Sequence, residues 1–487
     1  MSAEKRGFTL PSVGAMMLMI AGAMVALSVV CAGLGVQVTS PVNGEVIAVR
    51  SLLAPDALGQ LLRNFIKIVT EFPILPLILL LAIATGVAEQ SGFLDAFVRF
   101  LMRLAPRRLL TPAVLLGGTV AGLMSDAAYI VIVPLGAIIF KDAGRHPVAG
   151  LCATFAAVGA SGTFIVRPGD AVILSVTEAA ARTIDPAYTV SVVGYYWFQV
   201  AFAAIAILLY WAVTAFIVEP MLGKWQGGDA HDAAGDSGDG PRPLLAGGAA
   251  MLACVAAAVA ASSIPGGPLH KPEGGGLVSA MAAIVFFSLM AGGIAYGIAA
   301  GRIRRLDDVV GMMDRTAKEM GGLIILLLVA AYLNAFIAES KLGVVVAIAI
   351  ADLIRSLGGG AVAALLFAIL LPFLMDFIMP GATPKWVILA PVLVPSLMLL
   401  GWSPEMTTAA FRVGDAPINI VNPLMVFFPM TLVVAQRYIP GLGVDGFLKI
   451  MVCYAAPMAL VMTLVTLAWG LAGLAPGPGA PAFFPPR

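Results

Sequence analysis

The chain has 487 residues, 60% of them hydrophobic and only 11% charged, with 28 Lys+Arg against 27 Asp+Glu. A water-soluble domain carries about 25% charged residues, so this composition, with a mean hydropathy of +1.00, excludes a soluble globular protein and requires an integral membrane protein. A formal net charge of +1 offers no basic face for nucleic acid and no acidic tail for a basic partner.

Apolar runs near the length of about 20 residues that a spanning helix needs recur along the chain. Residues 13–36 form the first, behind Lys5 and Arg6. This run is too long for a signal-peptide core and no small-residue cleavage pattern follows it, so it reads as a retained helix. Residues 39–64 are mixed, with Pro41, Asn43 and Arg50, and residues 72–87 cross back toward Arg103, Arg107 and Arg108. That basic cluster reads as cytoplasmic, which places the amino terminus inside and the 39–64 loop outside.

Further spans are expected at 197–218, 244–261, 277–298, 321–337 and 450–471, with Arg302, Arg304 and Arg305 marking another cytoplasmic loop. Residues 220–243, rich in Gly and Asp, read as a flexible cytoplasmic linker between two halves, 1–219 and 244–487. The four cysteines, Cys31, Cys152, Cys254 and Cys453, lie in apolar runs without disulfide or zinc spacing and read as small apolar fillers.

Two regions, 110–170 and 361–437, are apolar but interrupted by Asp, Pro, Gly and Arg. Broken backbone at membrane depth is tolerated only inside protein or along a cavity, so function is sought there. They also align with each other. Tyr129 falls on Trp386, Pro134 on Pro391, Gly144 on Gly401 and Pro147 on Pro404; after a two-residue gap, Val158-Gly159 falls on Val413-Gly414, Ile165-Val166 on Ile420-Val421 and Pro168 on Pro423.

Broken apolar segments at matching positions of two halves point to a transporter site. Each unit reads as a re-entrant helical hairpin followed by a broken helix. The first pairs a hairpin at about 110–143 with a break within 146–175; the second pairs 361–400 with 404–436. The hairpin tips are expected near Ser125-Asp126 and Ala382-Thr383, and an odd number of intervening spans would make the repeat inverted. Helix ends meeting near the midplane would offer N–H groups to an anion and carbonyls to a cation.

Ionisable side chains at membrane depth cost about 2.5–3.5 kcal/mol on insertion scales and mark function by default. Here they cluster: Asp126, Arg167 and Asp170 in the first unit, Asp376, Lys385, Arg412 and Asp415 in the second. Arg412 and Asp415 are three apart and share a helix face. Arg412 offers a forked donor to a carboxylate or sulfonyl group, Asp170 and Asp415 are proton or cation sites, and Asn419 and Asn422 add neutral polar groups. Gly414, Asp415 and Asn419 are a candidate Na+ locus.

Trp386 reads either as a stacking surface for an aromatic ligand or as an interfacial belt residue. Asp376 is expected to face water at an outer mouth, Lys385 and Arg167 to snorkel, and His146 to be solvated. No GxxxxGK[ST], HExxH or GxSxG motif is present, so neither an ATPase nor an intramembrane hydrolase is supported, and no metal or organic cofactor is expected beyond a coupling cation, H+ or Na+.

The stretches SDAAYIVIVPLGAIIF (125–140), GRHPVAG (144–150), WVILAPVLVPSLMLLG (386–401) and FRVGDAPINIVNP (411–423), with EPMLGKWQG before the linker, resemble the p-aminobenzoyl-glutamate transporter family (AbgT) over nearly the whole chain. The resemblance implies a homodimer in the bacterial inner membrane, with about nine transmembrane helices and two opposed re-entrant hairpins per protomer, related to the ion transporter superfamily. It implies import of p-aminobenzoyl-glutamate or proton-driven export of sulfonamide antimetabolites, and substrate-site positions at Asp170, Trp386, Pro404, Arg412 and Asp415.

The chain departs from the family pattern at Thr163, Arg167, Pro168 and Gly169, in GATPKW before Trp386, and at Asp376, where a neutral residue is more usual. Arg167 and Lys385 therefore add positive charge near the expected site. A sodium-coupled carboxylate carrier of the same superfamily is the alternative within the class, and an ion channel the alternative outside it.

Overall fold

The structure is a computed structural model and describes residues 13–39, 46–70, 74–103, 109–124, 126–225, 241–270, 277, 280–356, 360–376, 381–423, 425 and 427–485. It is helical almost throughout, as the apolar runs require. Helix α1 spans Val13–Gly33, and a short antiparallel hairpin, β1 Gln37–Thr39 with β2 Val46–Ala48, follows in place of a simple loop. Its register pairs Val38 with Ile47, and the chain beyond it is tied down where Arg50 N–H donates to Ser340 O at 3.0 Å.

Next come α2 Pro55–Arg63, α3 Phe65–Thr70, α4 Ile74–Gln90, α5 Phe93–Arg103, α6 Leu110–Ala121, α7 Asp126–Asp142, α8 Pro147–Gly159, α9 Pro168–Ala181 and α10 Tyr196–Val213. Helix α10 runs on through a π turn, Thr214–Val218, into α11 Glu219–Leu222. The expected linker is thus trimmed at both ends, because α12 begins at Pro241 and runs to Ser263; residues 226–240 lie outside the described residues.

The second half holds α13 Met281–Ala299, α14 Leu306–Glu319, α15 Gly321–Ser340, α16 Leu342–Ser356, α17 Ala361–Met375, α18 Ala382–Leu399, α19 Pro404–Asp415, α20 Phe427–Gln436 and α21 Val444–Leu471. The sequence reading did not resolve α5, α14 and α16. Helices α5 and α14 are amphipathic, so neither carries a continuous apolar run. Arg315 of α14 donates to Gln90 Oε1 at the end of α4 at 2.7 Å, and Gln90 Nε2 donates to Thr316 Oγ1 at 2.9 Å. Helix α16 is apolar but only 15 residues long and packs on α18.

Among the described residues four helices, Tyr196–Leu222, Pro241–Ser263, Ala382–Leu399 and Val444–Leu471, are long and apolar enough to cross a membrane. Leu245 and Leu252 on α12 and Leu460 and Leu464 on α21 are exposed; large apolar side chains turned outward at helical spacing are what lipid solvates. Inside, the core is continuous from α4 to α21 and includes Phe155, Phe198, Trp386, Phe411 and Tyr454.

In both interrupted regions the helices are short, and one ends early, α8 at Gly159 and α19 at Asp415. Helices α6 and α7 are joined at 122–125, and α17 and α18 at 376–381. Pro147 and Pro404 each open the helix that follows, where the missing N–H costs nothing. Their N-caps also match in kind, with His146 Nδ1 accepting from Val148 N–H and Ser403 Oγ accepting from Met406 N–H. His146 is therefore buried at a helix start, edge-on to Trp225 at 5.3 Å, and not solvated.

Candidate functional site

The first break runs from Ala160 to Arg167. Small residues at its start give α8 little side-chain packing to continue on, and Pro168 disfavours helical backbone at Arg167, which is extended at φ −92° and ψ 149°. The backbone groups freed there are taken up by side chains. Tyr210 OH donates to Ala160 O at 2.5 Å, Tyr196 OH to Phe164 O at 2.8 Å, and Ser161 Oγ to Ala157 O at 2.6 Å. The second break follows Asp415, where Pro417 and Pro423 remove donors; a single 3-10 turn, Ile418–Ile420, interrupts it before α20.

The two breaks touch. A Cβ added at Gly159 would lie 2.9 Å from Ile420 Cγ2 and 3.1 Å from Tyr129 OH, and one at Gly414 would lie 2.0 Å from Ile369 O of α17. Only glycine lets these backbones approach so closely. Helices α9, α18 and α19 are joined across the halves by Thr177 Oγ1 against Thr408 Oγ1 at 2.8 Å and by the Trp386 indole N–H, which donates to Ile173 O at 3.1 Å and Thr177 Oγ1 at 3.0 Å.

The charged side chains gather at this junction in two groups. In the first, Arg167 grips Asp170 through Nε to Oδ2 at 2.9 Å and Nη2 to Oδ1 at 3.3 Å, while Tyr195 OH donates to Asp170 Oδ1 at 2.7 Å and Gln199 Nε2 adds a longer contact at 3.4 Å. In the second, Lys385 Nζ lies 2.5 Å from Asp376 Oδ1 and 2.8 Å from Asp415 Oδ1, and Arg412 Nη1 donates to Asp415 Oδ2 at 3.1 Å. Asn419 Nδ2 reaches Asp415 Oδ2 at 3.4 Å, and Asn422 Nδ2 donates to Asp376 O at 2.6 Å. The Asp170 carboxylate feels both arginines.

The six ionisable groups balance, with Arg167, Lys385 and Arg412 against Asp170, Asp376 and Asp415. They differ in access. The side chains of Asp376, Lys385 and Asp415 are 0% exposed, whereas Arg167 and Arg412 each keep 13%. The two guanidinium groups are thus the least shielded of the six, and both present the fork that matches a carboxylate.

The expected site residues are placed unevenly. Asp170, Arg412, Asp415, Asn419 and Asn422 come together around the breaks. Asp376 is at the second hairpin tip, fully buried, because Lys385 neutralises it; it does not face water at an outer mouth. Lys385 and Arg167 do not snorkel, since each finds a carboxylate within reach.

Trp386 is fully buried with its face against Phe411, centroids 4.3 Å apart, so it stands in the core and not in an interfacial belt. Pro404 is the first residue of α19 and lies about two turns from Arg412, away from the charges. Ser125 and the Asp126 side chain lie outside the described residues, as do residues 377–380 of the second tip.

A cation at the Gly414, Asp415, Asn419 locus does not fit these residues. Both Asp415 oxygens already face positive groups, and a Na+ there would lie against Lys385 and Arg412. Among the described residues no group of three His, Cys, Asp or Glu side chains is arranged to hold a metal ion.

Tyr195, Gln199, Thr177 and Glu405 were not anticipated. Gln199 is the one amide side chain in the apolar α10, a detectable signal. Glu405, buried in the first turn of α19 where the helix dipole favours an acid, accepts from Tyr188 OH at 2.9 Å.

Comparison with known proteins agrees with this architecture. The model of the AbgT putative transporter family matches residues 1–484. The chain is 32% identical over 458 residues to the p-aminobenzoyl-glutamate transport protein of Escherichia coli (strain K12), covering 91% of this chain and 89% of that one. The YdaH transporter of Alcanivorax borkumensis superposes with a TM-score of 0.92 at 32% identity, over 96% of this chain and 100% of that one; its structure is described as having an unusual topology. MtrF of Neisseria gonorrhoeae, described as illuminating a class of antimetabolite efflux pumps, superposes with a TM-score of 0.88 at 28% identity, over 98% of each chain. With broken helices meeting at a buried charge cluster and a family match along almost its whole length, this chain is a multi-pass membrane protein belonging to the AbgT putative transporter family.

Proposed function

We propose that this chain is a secondary transporter of the bacterial inner membrane, moving p-aminobenzoyl-glutamate or related aromatic amides and sulfonamide antimetabolites by alternating access, driven by the proton gradient. It works as a homodimer with the amino terminus in the cytoplasm. The observation that carries the reading is the pair of partly accessible arginines, Arg167 and Arg412, held by carboxylates at the meeting point of two broken helices.

An anionic substrate competes with Asp170 and Asp415 for those forks. When a substrate carboxylate takes an arginine, the displaced aspartate takes up a proton and the junction stays neutral, which links substrate to proton movement. The broken helices supply the bistable element, since their backbone is held by side-chain hydrogen bonds that can be exchanged.

The test is flux of p-aminobenzoyl-glutamate and sulfamethazine in proteoliposomes of purified protein under an imposed pH gradient. Gradient-dependent flux of at least one of them is expected. Flux indifferent to the gradient would replace this reading with a facilitator or channel.

A further inference from the structure

We propose that the Lys385 ammonium is a resident cation, holding the position between the Asp376 and Asp415 carboxylates that a dissolved Na+ would otherwise take, so that the transport cycle requires no Na+. The inference deepens the reading above and rests on it for its consequence in transport, but not for its test of the cradle itself.

The geometry around Lys385 is that of an ion and its ligands. Nζ lies 2.5 Å from Asp376 Oδ1 and 2.8 Å from Asp415 Oδ1, and all three side chains are shielded from solvent. The lysine is in the first turn of α18, entered through Gly381 at φ +102°, where the helix dipole disfavours a positive charge. Two carboxylates from other segments offset both that repulsion and the desolvation of the ammonium.

The cradle also has oxygen to spare. Asp376 Oδ2 and Asn419 Oδ1 are buried and accept no hydrogen bond among the described residues. Without the lysine, two carboxylates would face one arginine, leaving one negative charge uncompensated beside oxygens that accept no hydrogen bond among the described residues. Such a set suits a hard cation with oxygen ligands. The chain carries its own cation on a side chain instead, and with three positive groups already matching three negative ones a second cation finds no uncompensated charge among the described residues.

The experiment uses the full chain, purified in detergent, melted in NaCl and in choline chloride at equal ionic strength. The wild-type protein is expected to melt at the same temperature in both. Lys385→Ala is expected to gain a saturable Na+-dependent rise in melting temperature on the order of a few degrees. Lys385→Gln, which removes the charge but keeps a polar side chain of similar reach, carries the same expectation should the alanine variant fail to fold.

The double variant Asp376→Asn with Lys385→Met, which removes one charge of each sign, is expected to show no Na+ response. Saturable stabilisation of the wild type by Na+ overturns the proposal, as does a folded Lys385 variant indifferent to Na+. In proteoliposomes, wild-type p-aminobenzoyl-glutamate flux is expected to be equal in Na+ and in choline, and a Na+ requirement overturns the proposal. Absence of flux in either salt would instead sink the transport reading, leaving the melting comparison to decide on the cradle.

Discussion

Trp386 and Phe411 lie ring against ring, their centroids 4.3 Å apart and their planes tilted by 32°, at the point where α18 crosses α19. The indole N–H is donated onward to Ile173 O and Thr177 Oγ1 of α9. One side chain thus ties three helices from both halves. Trp386→Ala is expected to destabilise the protein by about 3–5 kcal/mol, the range for losing a large buried aromatic. Trp386→Phe keeps the ring contact and loses the donated hydrogen bonds, at about 1–2 kcal/mol. Thermal melting of both variants in detergent checks the order; equal destabilisation would show that the hydrogen bonds, not the ring packing, hold the junction.

The arginine that faces the junction should matter for flux more than for folding. Arg412→Ala removes one partner of Asp415, which retains Lys385 at 2.8 Å, so the fold is expected to persist while uptake falls at least about tenfold. Arg412→Lys keeps charge but not the fork and is expected to recover little. Asp415→Ala differs, because it strips Arg412 of its partner and Lys385 of one of two; breaking a buried pair costs about 3–5 kcal/mol. Flux and melting temperature measured together separate the cases, and wild-type uptake by Arg412→Ala would remove Arg412 from the site.

A third expectation concerns the close approach of α19 to α17. An alanine Cβ at position 414 would lie 2.0 Å from Ile369 O and 2.8 Å from Pro372 Cγ. Backbone cannot yield as a flexible side chain can, so Gly414→Ala forces the helices apart at a cost of about 1–3 kcal/mol and displaces Asp415 with them. Gly311→Ala on α14 is the control: nothing lies within 4 Å of its Cβ, and a mid-helix alanine gains about 1 kcal/mol over glycine. A melting temperature that drops for the first and rises for the second is expected.

Much of this was legible in the sequence, for reasons specific to membranes. Charge is so costly at depth that Arg167, Asp170, Asp376, Lys385, Arg412 and Asp415 stand out by their rarity alone, and the Pro and Gly pattern marks where α8 and α19 must end. What sequence could not resolve was pairing. Lys385 as a snorkelling residue and Asp376 at an outer mouth are each sensible alone; only the folded tip, which brings α17 and α18 to Asp415, makes them partners. The interfacial-belt reading of Trp386 failed for a related reason, since its exposure depends on what packs against it from α9, a helix over 200 positions away in the chain.

The last expectation concerns the segment after α21, which is rich in Pro and Gly. In the structure it folds back over the start of α19. Ser403 N–H donates to Ala482 O at 3.1 Å, Phe484 N–H to Gly401 O at 2.9 Å, and Phe198 N–H to Pro476 O at 3.0 Å, while Phe483 stacks on Trp402 at 5.2 Å. These contacts tie the N-terminal ends of α10 and α19, one helix from each half. Truncation after Leu474 would leave three backbone groups without partners and uncover Trp402, now 1% exposed. Each lost hydrogen bond contributes about 0.5–1.5 kcal/mol, so the truncated protein should melt well below the full chain, with Trp402 becoming accessible to a fluorescence quencher. A Trp402→Phe protein identifies that signal among the six tryptophans. Unchanged melting and quenching would mean that the segment rests on the helices without holding them.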